Sequence, residues 1–167
     1  MQLQTLTKQS IATALAKAER YRFLADPSAT ESICLDILAV EPGHQQALIT
    51  LILALTDQFK DPTHHVSLQA PLKRLKDLTS EYQQIYYRGI ACERWAKAQL
   101  LRGAHGAGPI AYEFLREAMS WYDKAAPLAE ADNCEVMLRR NSCIRCIEDH
   151  KLTAPDHSND GSGHWHE

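Results

Sequence analysis

Cysteine and histidine residues in the C-terminal part of the chain have a spacing that could bind metal or carry redox chemistry. Cys143 and Cys146 are three residues apart, Cys134 precedes them, and His150 follows one helical turn later. On one helix, Cys143, Cys146 and His150 would share a face, and thiolate and imidazole are ligands that zinc accepts. Zinc needs four tetrahedral ligands, however, and a redox Cys-x-x-Cys motif belongs at a helix N-terminus, where the dipole lowers a thiol pKa. Because these cysteines lie in mid-helix, the sequence favours buried packing residues, with metal binding as the alternative.

The C-terminal segment 153–167 contains a second set of possible metal ligands. After Leu152 the composition becomes polar and rich in Gly, Ser, Asp and His, which predicts a disordered tail that is dispensable for folding. His157, His164 and His166 in such a tail can bind nickel, copper or zinc weakly. We expect no preorganised catalytic site there, because a flexible segment does not hold its side chains rigidly.

Signals for phosphate binding and for catalysis are weak. The Gly-rich segment 103–108, GAHGAG, precedes a helix, where backbone amides attract anions. No strand precedes this segment, Pro109 removes one amide donor, and no Gly-Lys-Ser/Thr follows, so it matches neither nucleotide-binding fingerprint. Carboxylates such as Glu31, Asp57 and Glu93 fall mostly on polar helix faces, where solvated charge is the usual interpretation. The sequence therefore predicts a protein that is not an enzyme and has no cofactor.

Composition and charge argue against nucleic acid as a partner. The chain has 167 residues, the length of one domain, and 45% hydrophobic residues, enough for a sizeable core. Its formal net charge is -3, which gives no general attraction to phosphate backbones or anionic membranes. A modest basic cluster of Arg139, Arg140 and Arg145 is balanced by Glu135 and Glu148. A nucleic-acid surface would need a broader basic face.

Cysteine usage and the apolar runs indicate a cytoplasmic protein without a membrane partner. The longest apolar run, ALITLILAL at residues 47–55, is too short to span a bilayer. The N-terminus lacks the apolar core and cleavage site of a secretory signal. Five cysteines, an odd number on apolar helix faces, favour reduced thiols. The oligomeric state is left open.

Hydrophobic periodicity predicts an all-α fold of about seven helices in a domain that spans residues 1–152. Apolar residues recur at helical intervals in the segments 11–24, 29–40, 44–59, 72–78, 81–103, 109–125 and 133–151. Capping boxes are predicted at three helix starts, from Ser28 with Glu31, Ser80 with Gln83, and Asp132 with Glu135. No segment has the alternating period of a strand.

The segment 11–59 resembles tetratricopeptide repeats (TPRs). Two helices meet at a short turn containing Pro42–Gly43, and a shift of 34 residues places Ala18 on Ile52. A later segment resembles the start of another repeat, with Gly89 as the small residue at a helix crossing. The chain is also similar to a group of bacterial TPR-like proteins of unassigned function. This resemblance implies antiparallel helical hairpins stacked into a short right-handed superhelix with one concave face.

The resemblance also implies where a partner would bind, because the first helix of each TPR hairpin lines the concave face. The positions carried over to this face are Leu15, Glu19, Arg22, Ile49, Leu53, Thr56, Tyr86, Ile90, Glu93 and Arg94. This mixture suits a short helix or an extended peptide, although several of these side chains would instead pack within the domain. It lacks the Lys- and Asn-rich set with which some relatives hold a terminal carboxylate. We predict a scaffold-like protein-interaction module, and the alternative is a metal-binding or metal-responsive protein that uses Cys143, Cys146, His150 or the tail histidines.

Overall fold

The computed structural model describes residues 2–61, 63 and 66–155, and this part of the chain is all-α. Its seven α-helices are α1 (Ile11–Phe23), α2 (Pro27–Val40), α3 (Gln45–Asp57), α4 (Gln69–Arg74), α5 (Glu81–Arg102), α6 (Ala107–Ala125) and α7 (Glu135–Asp149). Short 3-10 turns precede α1 and follow α3, α4 and α6. No strand occurs among the described residues, so the predicted fold class is confirmed. Residues 156–167 of the predicted tail lie outside the described residues.

Helix α2 begins at a different cap from the one predicted. The carboxylate of Asp26 accepts a hydrogen bond of 3.0 Å from the amide of Ala29, which satisfies one free donor of the first turn. Pro27 occupies the first turn, where a missing amide costs nothing. The predicted capping box of Ser28 with Glu31 is wrong, because Ser28 already lies inside the helix.

The other two predicted caps differ in outcome. Ser80 caps α5 as predicted, and its hydroxyl accepts a hydrogen bond of 3.3 Å from the amide of Gln83. The predicted capping box of Asp132 with Glu135 is wrong. The side chain of Asn133 instead accepts a hydrogen bond of 3.0 Å from the amide of Glu135. The side-chain oxygen of Asn133, rather than the carboxylate of Asp132, is therefore the acceptor at the start of α7.

The order of helix contacts gives the fold its layers. Each helix packs against the next one in the chain, and in addition α1 contacts α3, α3 contacts α5, and α5 contacts α7. The odd-numbered helices therefore lie side by side, and α2, α4 and α6 each pack against the two odd-numbered helices that flank them in sequence.

The core follows this layering. Its largest cluster joins α5, α6 and α7 around the fully buried Leu115 and Tyr122. Leu48 and Ile52 of α3 form a second cluster with the segment that follows α4. Gly89 is buried where α5 meets α6, and its missing side chain permits their close approach. The prediction of a small residue at this crossing is confirmed.

Candidate functional site

Residues that bridge or line the odd-numbered helices form one surface, which we call the odd-helix face. Its members are Glu19 and Arg22 of α1, Gln46, Leu53 and Asp57 of α3, Tyr82, Tyr87, Arg94 and Lys97 of α5, and Arg139 and Ser142 of α7. These residues all keep some exposed surface.

Two arginines share the carboxylate of Asp57. Arg22 donates from Nε to Asp57 Oδ2 at 2.7 Å, and Arg94 donates from Nη1 to Asp57 Oδ1 at 2.6 Å. The same Nη1 group lies 2.7 Å from Thr56 Oγ1 and 3.3 Å from the carbonyl oxygen of Leu53. Helices α1, α3 and α5 are thus joined by one ionic group, and both guanidinium planes are held in position.

Glu93 is the centre of a second ionic group, which joins α5 to α6 and α7. Its side chain is only 1% exposed, and a buried carboxylate without partners would be costly. Lys97 donates to Glu93 at 2.5 Å, Tyr122 at 2.7 Å and Ser142 at 3.5 Å, while Arg139 lies 3.8 Å away. Burial, together with the charge and hydrogen bond of Glu93, raises the pKa of Tyr122 well above its usual range.

The two ionic groups influence each other through Arg94. Burial lowers the pKa of Arg94, and the charge of Asp57 opposes this effect. Arg22 and Arg139 also lower the pKa of Arg94, which means that both guanidinium groups are close enough to repel that of Arg94. The carboxylates of Asp57 and Glu93 oppose this repulsion, so the middle of the odd-helix face holds charges of both signs close together.

Three tyrosines cluster on α5, where Tyr82 and Tyr87 belong to the face and Tyr86 is buried between them and the core. The rings of Tyr82 and Tyr86 are stacked with centroids 5.5 Å apart, and the rings of Tyr86 and Tyr87 meet edge-to-face at 5.2 Å. The hydroxyl of Tyr86 donates to Glu135 at 3.0 Å, and that of Tyr82 accepts from the side chain of Asn133 at 3.0 Å. Both rings are therefore fixed against the start of α7.

Tyr87 differs from these two tyrosines because its hydroxyl forms no hydrogen bond within the described part of the chain. The half-buried ring packs on the same core cluster as Leu53. Burial raises the pKa of Tyr87, whereas the nearby charges of Arg22 and Arg94 lower it. An accessible hydroxyl beside two arginines is available to a ligand.

A groove of about 590 Å³ adjoins this face at the end of α1. Its lining includes Glu19, Arg22, Phe23, Pro27 and Asp57. Phe23 is 89% exposed, which is unusual for a large aromatic residue in a folded chain. The groove thus places an exposed ring beside the ion pair of Arg22 with Asp57.

The predicted partner-binding residues fall into two groups. Ile49, Thr56, Tyr86, Ile90 and Glu93 are buried, because they pack or bond against neighbouring helices of this chain. Leu15, Glu19, Arg22, Leu53 and Arg94 keep exposed surface. The buried group positions the helices and their neighbours, and the exposed group remains predicted to contact a partner.

Sequence reasoning selects four of the eleven members of the face and misses the other seven, which include Asp57, Tyr87 and Arg139. It assigns Asp57 to a solvated surface, does not select Tyr87, and considers Arg139 only as part of a basic cluster. The four-residue spacing of Tyr82 and Tyr86 is a usable signal for Tyr82, but it gives none for Tyr87, which lies about 100° further round the helix. Arg139 joins the face because α7 packs beside α5. The periodicity of a single helix does not predict a contact between two helices.

The alternative interpretation assigns metal ligands to α7 and the residue that follows it. Cys143 is fully buried, and burial raises its pKa to about 12, which opposes the thiolate that a metal needs. Cys146 Sγ lies 3.9 Å from His150 Nδ1. Among the described residues no group of three or more His, Cys, Asp or Glu could hold a metal ion. His164 and His166 lie outside the described residues.

Within the described ranges, none of the helices is long and apolar enough to cross a membrane. No protein-family model, curated protein or solved structure matches the chain.

Proposed function

We propose that this protein is a non-catalytic interaction module that binds a peptide or helix of a partner protein on the odd-helix face. The observation that carries this proposal is a surface made of four neighbouring helices and rich in arginine and tyrosine. Arg and Tyr are enriched among the residues that contribute most to protein–protein affinity. Mixed ionic and aromatic surfaces of this kind suit short peptide segments.

The helix order supports a TPR-like architecture as part of the same proposal. α1 with α2, α3 with α4, and α5 with α6 form successive hairpins, and α7 closes the series. The contacts of α1 with α3, α3 with α5 and α5 with α7 are those expected when first helices stack in order. In a short right-handed superhelix of this type, the odd-helix face would be concave.

The odd-helix face is also preorganised. Arg22 and Arg94 are held by Asp57, so binding would cost less side-chain entropy than it would for mobile arginines. The hydroxyl of Tyr87 offers a free hydrogen-bonding group, and the groove beside Phe23 offers room for an apolar side chain. The polar groups can orient a bound peptide, and the groove can accept one of its apolar side chains.

The local chemistry favours binding over catalysis. Glu93 is enclosed by its own donors, and Asp57 is held by two arginines, so neither carboxylate is placed to accept a proton from a substrate. Burial raises the pKa of Cys92 and Cys143 to about 12, which keeps both thiols protonated and weakly nucleophilic.

Site-specific photocrosslinking tests this proposal. p-Benzoylphenylalanine is placed at Tyr87 on the odd-helix face or at Tyr112 on α6, which is also partly exposed, and each protein is irradiated in extract of its source cells. We expect a discrete adduct, identified by mass spectrometry, from position 87 and none from position 112. An adduct from position 112 with none from position 87 would place the partner on the even-numbered helices and contradict the proposal.

A further inference from the structure

The middle of the odd-helix face has more positive than negative charge. Four cations surround two carboxylates, in the pairs Arg22–Asp57, Arg94–Asp57, Lys97–Glu93 and Arg139–Glu93. Two positive charges are therefore left without a carboxylate of their own. The four cations lie on α1, α5 and α7, which form one surface together with α3, where a single ligand can reach them.

The arginines also retain donors that this chain does not use. An arginine side chain has five N–H donors in a planar fork. Arg22 contacts Asp57 through Nε, and all contacts of Arg94 with other side chains involve Nη1. The side chains of Arg22 and Arg139 are 30% and 33% exposed, so their free N–H groups are within reach of a ligand.

Acidic residues border this positive region. Glu19 lies one turn before Arg22 on α1 and accepts a hydrogen bond of 3.3 Å from Gln46. Glu135 lies one turn before Arg139 on α7 and accepts the hydrogen bond of Tyr86. The positive charge is thus confined to a short strip across α1, α5 and α7. A strip of this size matches a few carboxylates better than a long polyanion.

We propose that the segment bound by the odd-helix face is an acidic peptide whose Asp or Glu carboxylates contact Arg22 and Arg139 on the two sides of Arg94. This inference rests on the proposed function and names the chemistry of its partner. Carboxylates form short, charge-assisted hydrogen bonds with arginine and match its fork in two-point contacts. They would also offset the repulsion that Arg22 and Arg139 exert on Arg94. The free hydroxyl of Tyr87, which lies near Arg22 and Arg94, can donate to the same ligand.

Selection from a library of random peptides displayed on phage tests the inference, because it lets the protein choose its own ligand chemistry. The full chain is immobilised, retained peptides are sequenced, and one of them is synthesised for affinity measurement. We expect enrichment of Asp and Glu over the input library. We also expect the synthetic peptide to bind the double variant Arg22→Gln/Arg139→Gln about tenfold or more weakly, since loss of paired charges at an interface has effects of this size.

Arg140→Gln is the matched control. Arg140 neighbours Arg139 in sequence but pairs with Asp123 of α6 at 2.7 Å, away from the odd-helix face. Its substitution removes one positive charge, where the double variant removes two, and it should leave peptide affinity unchanged. Circular dichroism checks that each variant is folded. If the double Gln variant is not folded, Arg22→Lys/Arg139→Lys replaces it, because lysine keeps the charge and loses the fork, and we expect a smaller but measurable loss of affinity.

The outcomes separate this inference from the proposed function. Retained peptides without acidic enrichment, or an affinity that neither double variant lowers, would overturn the acidic-peptide inference and leave the interaction module standing. Absence of any retained peptide above bare support would contradict both. A single-stranded oligonucleotide that binds as tightly as the acidic peptide, and loses affinity in the same variant, would make the strip a general polyanion site and overturn the stated specificity.

Discussion

A Cβ atom on Gly89 would lie 2.6 Å from Cε1 and 2.8 Å from Cδ1 of Tyr122, closer than real side chains approach. Helices α5 and α6 therefore cross at a distance that only glycine permits. The Tyr122 ring is fully buried, and its hydroxyl bonds Glu93 at 2.7 Å, so the ring has no free space into which it can withdraw. This crossing places the ionic group of Glu93 directly behind the odd-helix face.

Substitution of Gly89 by alanine should destabilise the protein. Overpacking typically costs about 1–3 kcal/mol, and the better helix propensity of alanine returns about 1 kcal/mol. The 2.6 Å approach puts the overpacking cost in the upper part of this range, about 2–3 kcal/mol. We therefore expect a net loss of about 1–2 kcal/mol for Gly89→Ala and a larger loss for Gly89→Leu, measured by urea denaturation.

Gly43→Ala is the control for this substitution, because a Cβ atom at Gly43 would meet no atom within 4 Å. We expect its free energy of unfolding to change by less than about 1 kcal/mol. If Gly89→Ala were as stable as the unchanged protein, the close crossing of α5 and α6 would be disproved.

Loss of the Tyr122 hydroxyl should also lower stability. Tyr122→Phe leaves one oxygen of the buried Glu93 without its donor, and an unsatisfied buried group costs about 1–3 kcal/mol. Tyr112→Phe serves as control, because Tyr112 makes no side-chain hydrogen bond in the described structure. Equal melting temperatures for the two variants would show that the bond to Glu93 contributes nothing.

The cap of α2 can be tested by a pair of neighbouring substitutions. Asp26→Ala removes the acceptor for the amide of Ala29 and should cost about 0.5–2 kcal/mol. Ser28→Ala should stay within about 0.5 kcal/mol, because Ser28 is exposed and lies within the helix. If the capping box predicted from the sequence were the real one, Ser28→Ala would lower the melting temperature more than Asp26→Ala.

Thiol reactivity should distinguish the five cysteines. Burial raises the pKa of Cys34, Cys92 and Cys143 to about 12, and Cys146 is also buried. Cys134 is exposed. With a thiol-specific chromogenic disulfide at about pH 8, we expect one rapid equivalent from the native protein and five after denaturation. Two or more rapid equivalents in the native protein would contradict the described packing.

The same thiols predict how stability depends on pH. Their folded pKa near 12 lies above the ordinary value of 9.0, so the unfolded chain loses these protons first as pH rises. The contribution of these buried, protonated thiols to the free energy of unfolding is therefore complete below pH 9 and is lost between pH 9 and about 12. Urea midpoints should be lower at about pH 10 than at pH 7, and the difference should shrink when Cys34 is replaced by alanine.

The helices are predictable because their signal is local. Leu48, Leu51, Ile52 and Leu55 recur at helical intervals, and all four are buried in α3. The caps are harder to predict, because Asp26 and Ser28 are both good acceptors two residues apart. Pro27 decides between them, because proline is preferred at the first position of a helix and the residue before it then becomes the cap.

The site is less predictable because its contacts span long stretches of chain. Glu93 fits both a polar helix face and the partner-binding surface by its sequence, yet it is buried by Tyr122 from 29 residues away and Ser142 from 49 residues away. A helical repeat pattern shows which residues share a face of one helix. It does not show which neighbouring helix covers that face. The packing between helices decides which residues of the site remain exposed.

The central claim, that the odd-helix face binds a partner protein, is tested most directly by affinity capture from source-cell extract with two matched variants. Arg22→Glu and Arg140→Glu each remove an Nε contact of 2.7 Å to an aspartate, on different sides of the molecule. Equal amounts of each folded variant are used as bait, and captured proteins are quantified by mass spectrometry. The proteins captured by the unchanged chain should be lost with Arg22→Glu and kept with Arg140→Glu. Undiminished capture by Arg22→Glu, with loss in a folded Cys143→Ala/Cys146→Ala variant, would contradict the account and return function to the thiols.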